Sequence, residues 1–201
     1  MFPLKDSIPN RVTPLATFAI VGLNGLAFLL YADLDLPELT ELFLRFGVVP
    51  ARYALASDPA GVLAWPLLLP LATSQFLHAG LAHLVGNLWT LWIFGPNVEE
   101  RMGPLRFVAF YLLAGAAAGL AHVAAHPGSG VPTVGASGSI AGVMGAYLVL
   151  YPRARILFFV PVLFFPLLFV LPAATYLLYW LALQLASGAL SRLASDDAGG
   201  V

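Results

Sequence analysis

Apolar residues run through this chain in four long blocks, 12–32, 59–98, 107–152 and 156–191, none of which contains an Asp, Glu, Lys or Arg. A helix that crosses the hydrocarbon core of a bilayer needs about 20 mostly apolar residues, so the pattern predicts a multi-pass membrane protein. The first span is expected over Pro14–Tyr31. A long amphipathic stretch follows, 33–77. It carries Asp33, Asp35, Glu38, Glu41, Arg45, Arg52 and Asp58, and its apolar run Val62–Leu71 is broken by Pro66 and Pro70. That run is too short and too interrupted to span. Trp65 and Tyr53 suit headgroup depth, so the stretch is expected in the membrane interface. The second span is expected over Gly80–Val98, ending at the charged turn Glu99-Glu100-Arg101-Met102-Gly103. Block 107–152 is too long for one helix. The polar, Gly/Pro-rich Ala125–Thr133 divides it into a third span near Phe107–Ala124 and a fourth near Val134–Tyr151. In the last block Pro161, Pro166 and Pro172 argue for an interfacial or loop-like 156–171, with two spans or a re-entrant hairpin as alternatives. A fifth span is expected near Ala173–Leu190.

Composition sharpens this picture. The 201 residues are 60% hydrophobic and 9% charged, against about 25% charged in an ordinary soluble domain. A soluble chain of this size could not bury so much apolar surface. The net charge of −1 argues against nucleic acid as a partner. With no cysteine, disulfides, thiolate metal sites and a cysteine nucleophile are excluded. Lys5 and Arg11 precede an apolar run long enough to span and without a convincing cleavage site, so the N-terminus does not read as a cleavable signal.

Lys and Arg placement orients the bundle. With 1–13 in the cytoplasm, Lys5, Arg11, Arg101, Arg106, Arg153 and Arg155 are inside and only Arg45, Arg52 and Arg192 outside, which satisfies the positive-inside rule. Five spans leave the 191–201 tail outside. Spans two and four then run in the same direction. His83 and Ser137 each lie about one turn into their span, and Asn87, four residues after His83, shares its face one turn deeper. A serine, a histidine and a carboxamide are therefore expected at one level near the outer surface.

A polar residue inside a span is costly and marks a functional site by default. Acyl transfer needs these types. The serine attacks a carbonyl, and donors already aimed at the developing oxyanion stabilise it by roughly 2.7–4 kcal/mol each. His83 and Asn87 can donate from side chains, and the Ser137 N–H from a helix N-terminus, where first-turn donors lack intrahelical partners. Gly135 and Gly138 leave room for a substrate backbone. Gly138, Gly142 and Gly145, with Gly115 and Gly119 on span three, form stripes that let helices touch.

These residues carry a resemblance. The pattern His78-x4-His83-x3-Asn87, the turn Phe94-Gly95…Glu99-x-Arg101-x-Gly103 and Gly135-Ala136-Ser137-Gly138 are similar, in order and spacing, to the rhomboid intramembrane serine proteases, over about residues 73–190. The resemblance implies an all-α polytopic membrane helix bundle and one membrane domain over 1–201. It makes Ser137 the nucleophile and places His83 and Asn87 at the oxyanion site, with Gly135, Gly138 and His78 in support. No cofactor and no metal is implied. The expected partners are transmembrane protein substrates and the lipid bilayer; the oligomeric state is open. The family's base is a histidine on a sixth span. No histidine follows His126, so about five helices are expected here, with the sixth and its histidine outside these residues.

The rival reading is a catalytically inactive rhomboid-like protein that binds transmembrane clients. A small transporter is weaker, because the spans carry no Asp, Glu, Lys or Arg and no repeat is visible. Ser139 lies off the Ser137 face. Glu99 and Arg101 are expected in a solvated turn or an ion pair. His122 and His126 have i,i+4 spacing but no third ligand nearby, so no metal site is expected. They are the other candidates for a base. Localisation is expected in a bacterial inner membrane.

Overall fold

The computed structural model describes residues 2–54, 65–162 and 165–198. The expected start of the Val62–Leu71 run lies outside the described residues. The described chain divides into two compact units, one of Asn10–Tyr147 and one built from Met1–Pro9 with Leu148–Val201.

The larger unit is helical. Helix α1 (Leu15–Tyr31) is followed by α2 (Leu36–Phe46), α3 (Pro50–Ala54), α4 (Trp65–Thr73) and a 3₁₀ turn, Ser74–Phe76. Then come α5 (Leu81–Met102), α6 (Pro104–Ala125) and α7 (Ser137–Leu150). Helices thus occupy the places expected for the first four spans. Among the described residues α6 alone is by itself long and apolar enough to cross a bilayer; α1 and α7 are shorter apolar helices. The segment Trp65–Phe76 and α5 pass that test together but bend by 83° at the break between them.

Local chemistry sets several boundaries. Asp35 and Glu38 cap α2 reciprocally: the Glu38 N–H donates to Asp35 Oδ1 at 2.9 Å and the Asp35 N–H to Glu38 Oε2 at 3.2 Å, satisfying two donors that helix geometry leaves free. Gly103, at φ +79°, makes the sharp reversal between α5 and α6 that a residue with a Cβ adopts only with strain. Tyr53 packs into the protein rather than lying on its surface. It is buried against Val48 and Leu71, its hydroxyl donates to the Leu67 carbonyl at 2.6 Å, and burial pushes its pKa up to about 12.

Glu99 also departs from expectation. It is no solvated turn residue: it is 4% exposed and its carboxylate closes the start of α1. Oε1 accepts from the Ala16 N–H at 2.9 Å, and Oε2 from both the Thr17 N–H and the Thr17 hydroxyl at 2.7 Å. First-turn N–H groups need an external acceptor, and the helix dipole favours an anion there. Thr17 also touches the Cβ position of Gly95 at 3.0 Å, and Phe18 stacks on Trp92 at 5.1 Å, so α1 and α5 pack closely along one seam.

A second seam joins α6 and α7. A Cβ on Gly138 would meet Ala118 Cβ at 2.5 Å, and one on Gly142 would meet Ala114 Cβ at 2.5 Å. The expected small-residue contact is therefore present at Gly138 and Gly142, while Gly145 faces open space. The interior is filled by Leu91, Phe94, Val98, Phe107, Tyr111, Ile140, Val143 and Tyr147, all fully buried.

The fold is mostly helical, as expected, and the smaller unit adds a sheet to it. Strands β1 (Phe2–Asp6), β2 (Arg155–Val162) and β3 (Phe165–Pro172) form an antiparallel sheet in the order β1-β2-β3. The expected loop-like 156–171 is thus a β-hairpin with an N-terminal strand added at its edge. Its prolines exclude helix but fit this sheet. Pro161 pairs with Pro166 near the hairpin end, Pro172 closes β3, and Pro3 sits at an irregularity of β1, the end and edge positions where a missing N–H is tolerated. Ala154, Ile156 and Phe158 are buried at alternate positions, and Phe158 meets Phe169 and Tyr176 at 5.7 and 5.3 Å. Helix α8 (Ala173–Ala198) continues past the expected end at Leu190, since 191–197 contains no Gly or Pro.

Replacing Glu99 by Gln keeps one acceptor but turns an NH₂ toward backbone donors. The variant should lose about 2–4 kcal/mol of stability, read as a lowered unfolding midpoint in detergent. Thr17→Val, which removes only the hydroxyl bond, should cost about 1 kcal/mol.

Candidate active site

The site is assembled from the loop that leads into α7. Two segments hold this loop from outside. Val48 and Thr133 exchange both backbone hydrogen bonds, at 3.0 and 2.8 Å, and the Ala51 N–H donates to the Ser129 carbonyl at 2.9 Å. Nearer the helix, the Gly135 N–H donates to the Ser74 carbonyl at 2.9 Å. The chain then turns through Gly135 at φ +126°, a conformation open to glycine and strained for other residues. Helix α7 starts at Ser137, and the Ile140 N–H makes the first helical bond, to Ala136 O at 2.9 Å. The N–H groups of Ser137 and Gly138 precede that bond, so they belong to the set of donors that a helix start leaves for other acceptors.

His83 and Asn87 reach the same place from the first two turns of α5. A Cβ on Gly135 would lie 2.7 Å from His83 Cε1, 2.8 Å from His83 Nε2 and 3.7 Å from Asn87 Nδ2. The imidazole and the carboxamide therefore lie against the backbone two residues before Ser137. Sequence spacing predicted that this histidine and asparagine share a level with the serine, and the contact at Gly135 brings them to the entrance of its helix. Ser137 itself is half-buried. Asn87 is 6% exposed, and its Nδ2 has no hydrogen-bond partner among the described residues. A buried donor left unmade costs free energy, so this nitrogen is poised for an acceptor.

His78 supports this arrangement from behind. Its ring packs edge-on to His83 at 5.1 Å between centroids. The Tyr31 hydroxyl clamps its backbone, accepting from the His78 N–H at 2.7 Å and donating to its carbonyl at 3.2 Å. The imidazole is buried, and desolvation, reinforced by neighbouring His83, lowers its pKa to about 4, so it is neutral near pH 7. Ser139, by contrast, is fully buried and donates from Oγ to Gln75 Oε1 at 2.8 Å. His122 and His126 stack on each other at 4.2 Å near the end of α6.

Sequence reasoning missed Ser74, Gln75, Tyr31 and Val48. Gln75 was within reach: a carboxamide in the charge-free block 59–98 is an intramembrane polar group of the kind that marks a site. Ser74 and Val48 act through their backbones, which carry no side-chain signal.

The chain matches the Rhomboid domain over residues 66–199. It is 32% identical over 150 residues to the mouse (Mus musculus) presenilin-associated rhomboid-like protein, mitochondrial, a match covering 73% of this chain and 36% of that protein. It is 33% identical over 135 residues to rhomboid protease GluP of Bacillus subtilis, covering 67% of this chain and 24% of that one. Rhomboid protein 1, mitochondrial, of Saccharomyces cerevisiae is 26% identical over 147 residues, 71% of this chain and 38% of the yeast protein. The chain thus aligns with well under half the length of each of these relatives. With the domain match covering most of the sequence, and the His/Asn pair and the Gly-x-Ser-Gly helix start inside it, the chain belongs to the rhomboid family.

Proposed function

We propose that this chain carries the serine-endopeptidase site of a rhomboid protease that cleaves membrane-anchored proteins within or near the bilayer. In this reading Ser137 Oγ attacks the scissile carbonyl carbon and passes its proton to a histidine base, which the family resemblance puts on a sixth helix outside these residues. The carbonyl oxygen becomes an oxyanion, held by His83, by Asn87 Nδ2 and by the Ser137 N–H. Collapse of the tetrahedral intermediate breaks the C–N bond, and the base returns its proton to the leaving amine. Water then attacks the acyl-enzyme with the same groups in the same roles. The reading calls for no metal or cofactor. It includes five membrane spans with the N-terminus inside, Gly135 as the point where the substrate backbone comes close, and transmembrane proteins as substrates; Gly138, expected to share that role, instead packs against Ala118 of α6.

The observation that carries it is the approach of His83 and Asn87 to Gly135, with the buried Asn87 Nδ2 lacking an acceptor beside a helix that starts at Ser137. A bundle built only to hold clients has no need to keep a buried donor unpaired at a helix N-terminus. The mouse, yeast and bacterial relatives, some named as mitochondrial and one as a protease, accord with membrane proteolysis and leave both a bacterial and an organellar membrane open as its setting.

Three substitutions in the full-length protein, with a fourth as control, test this reading. Ser137→Ala should abolish cleavage of a transmembrane reporter and labelling by a fluorophosphonate, with the unfolding midpoint unchanged; retained cleavage would sink the assignment. Asn87→Ala should lower kcat roughly 100-fold with little change in KM, since the lost donor acts on the oxyanion; a wild-type kcat removes Asn87 from the site. Gly135→Ala should lower activity at least as far, because its Cβ meets the His83 ring and strains the backbone. Gly145→Ala, whose Cβ points into open space, should leave cleavage at the wild-type level.

A further inference from the structure

Behind the candidate nucleophile lies a second polar cluster that the reaction does not use. Gln75 is 2% exposed and Ser139 is wholly buried. Ser139 Oγ donates to Gln75 Oε1, and Gln75 Nε2 donates to the Leu71 carbonyl at 2.6 Å and the Leu112 carbonyl at 3.0 Å. Both N–H bonds of the carboxamide are thereby used. One side chain ties together α4, α6 and α7. Gly115 of α6 makes the room: a Cβ there would lie 2.3 Å from both Gln75 Cδ and Ser139 Oγ.

Such a pair is an expensive way to fill space in an apolar bundle. Buried polar groups cost free energy unless fully bonded, and apolar side chains of the same volume would pack as well. What a hydrogen-bonded pair adds is direction. Ser139 lies about 200° around the helix from Ser137, so its bond fastens the face of α7 turned away from the nucleophile. The adjacent Ser74 carbonyl holds the Gly135 N–H on the other side of Ser137. A single 3₁₀ turn, Ser74–Phe76, therefore grips the chain two residues before and two residues after Ser137, and two residues later the same turn leads into His78.

We propose that Gln75 and Ser139 are positioning residues, which set the rotation of the first turn of α7 so that the Ser137 hydroxyl and N–H face the His83 and Asn87 donors. The inference rests on the protease reading for its kinetic consequence but not for its structural one. Misplacing reacting groups by about 1 Å costs up to about 100-fold in rate, so a helix start that can rotate should turn over slowly without losing its fold.

The test uses the full-length protein in membranes and the double substitution Gln75→Met with Ser139→Ala, which removes both polar side chains of the pair and leaves the buried Tyr111 and Asn24 unchanged. Ser139→Ala alone, which spares both Gln75 donor bonds, stands in if the double variant does not fold. Two quantities are read: kcat and KM on a transmembrane reporter, and deuterium exchange over 133–140. The expected result is an unfolding midpoint close to wild type, kcat lower by roughly 10- to 100-fold, an unchanged KM, and faster exchange over 133–140. A pair that merely fills the core would leave kcat and exchange at wild-type values once apolar packing replaced it. Wild-type kcat or wild-type exchange overturns the proposal. If Ser137→Ala still cleaves, the protease reading is what fails, and the exchange measurement alone then decides whether the pair holds the helix start.

Discussion

The candidate site depends on one backbone hydrogen bond, from the Gly135 N–H to the Ser74 carbonyl. Backbone polar groups inside an apolar bundle must find partners, and this bond meets that need while joining two loops far apart in sequence. It holds Gly135 in its left-handed conformation, and that conformation aims the following residues into α7. Because Gly135 has no Cβ, His83 and Asn87 can close to within contact of the same backbone. A bulkier residue would have to displace the imidazole. The donor of this bond lies two residues before the candidate nucleophile, its acceptor lies four before His78, and the bond brings the two segments together.

The scaffold around this bond is made of similar bargains between polar demand and apolar packing. Glu99 is a buried carboxylate, yet it accepts three hydrogen bonds from the start of α1, so its charge and the unpaired first-turn donors satisfy one another. Glycines at 115, 138 and 142 let α6 and α7 approach to near backbone contact. In an environment without a strong hydrophobic drive between helices, close approach and paired polar groups are what hold a bundle in one arrangement. A rhomboid-family protein is an integral membrane protein, and its two seams, α1 on α5 and α6 on α7, use these two means.

Much of this was legible in the sequence. The charge-free blocks placed α1, α5, α6 and α7 to within a few residues, because apolar length and Gly/Pro breaks mark helices without reference to any neighbour. His83, Asn87 and Ser137 were expected as a set, from helical periodicity and a common direction of two helices, and the structure brings His83 and Asn87 to Gly135, two residues before Ser137. The β-hairpin was not legible. Beyond Arg155 its residues are apolar on both faces, so the buried Phe158 shows no contrast with its neighbours Leu157 and Phe159, and alternation cannot be read where nothing polar alternates. The capping role of Glu99 was hidden because its partners are backbone groups more than eighty residues earlier in the chain.

The sequence by itself determined the kind of protein, the positions of its helices and the types of chemical group at the site, all of which follow from composition and from periodicity along one chain. Only the tertiary structure decided which groups meet: Ser74 with Gly135, Gln75 with Ser139, Glu99 with Thr17. Such pairings arise from how separate segments pack, and each rests on satisfying a hydrogen bond that local sequence leaves open.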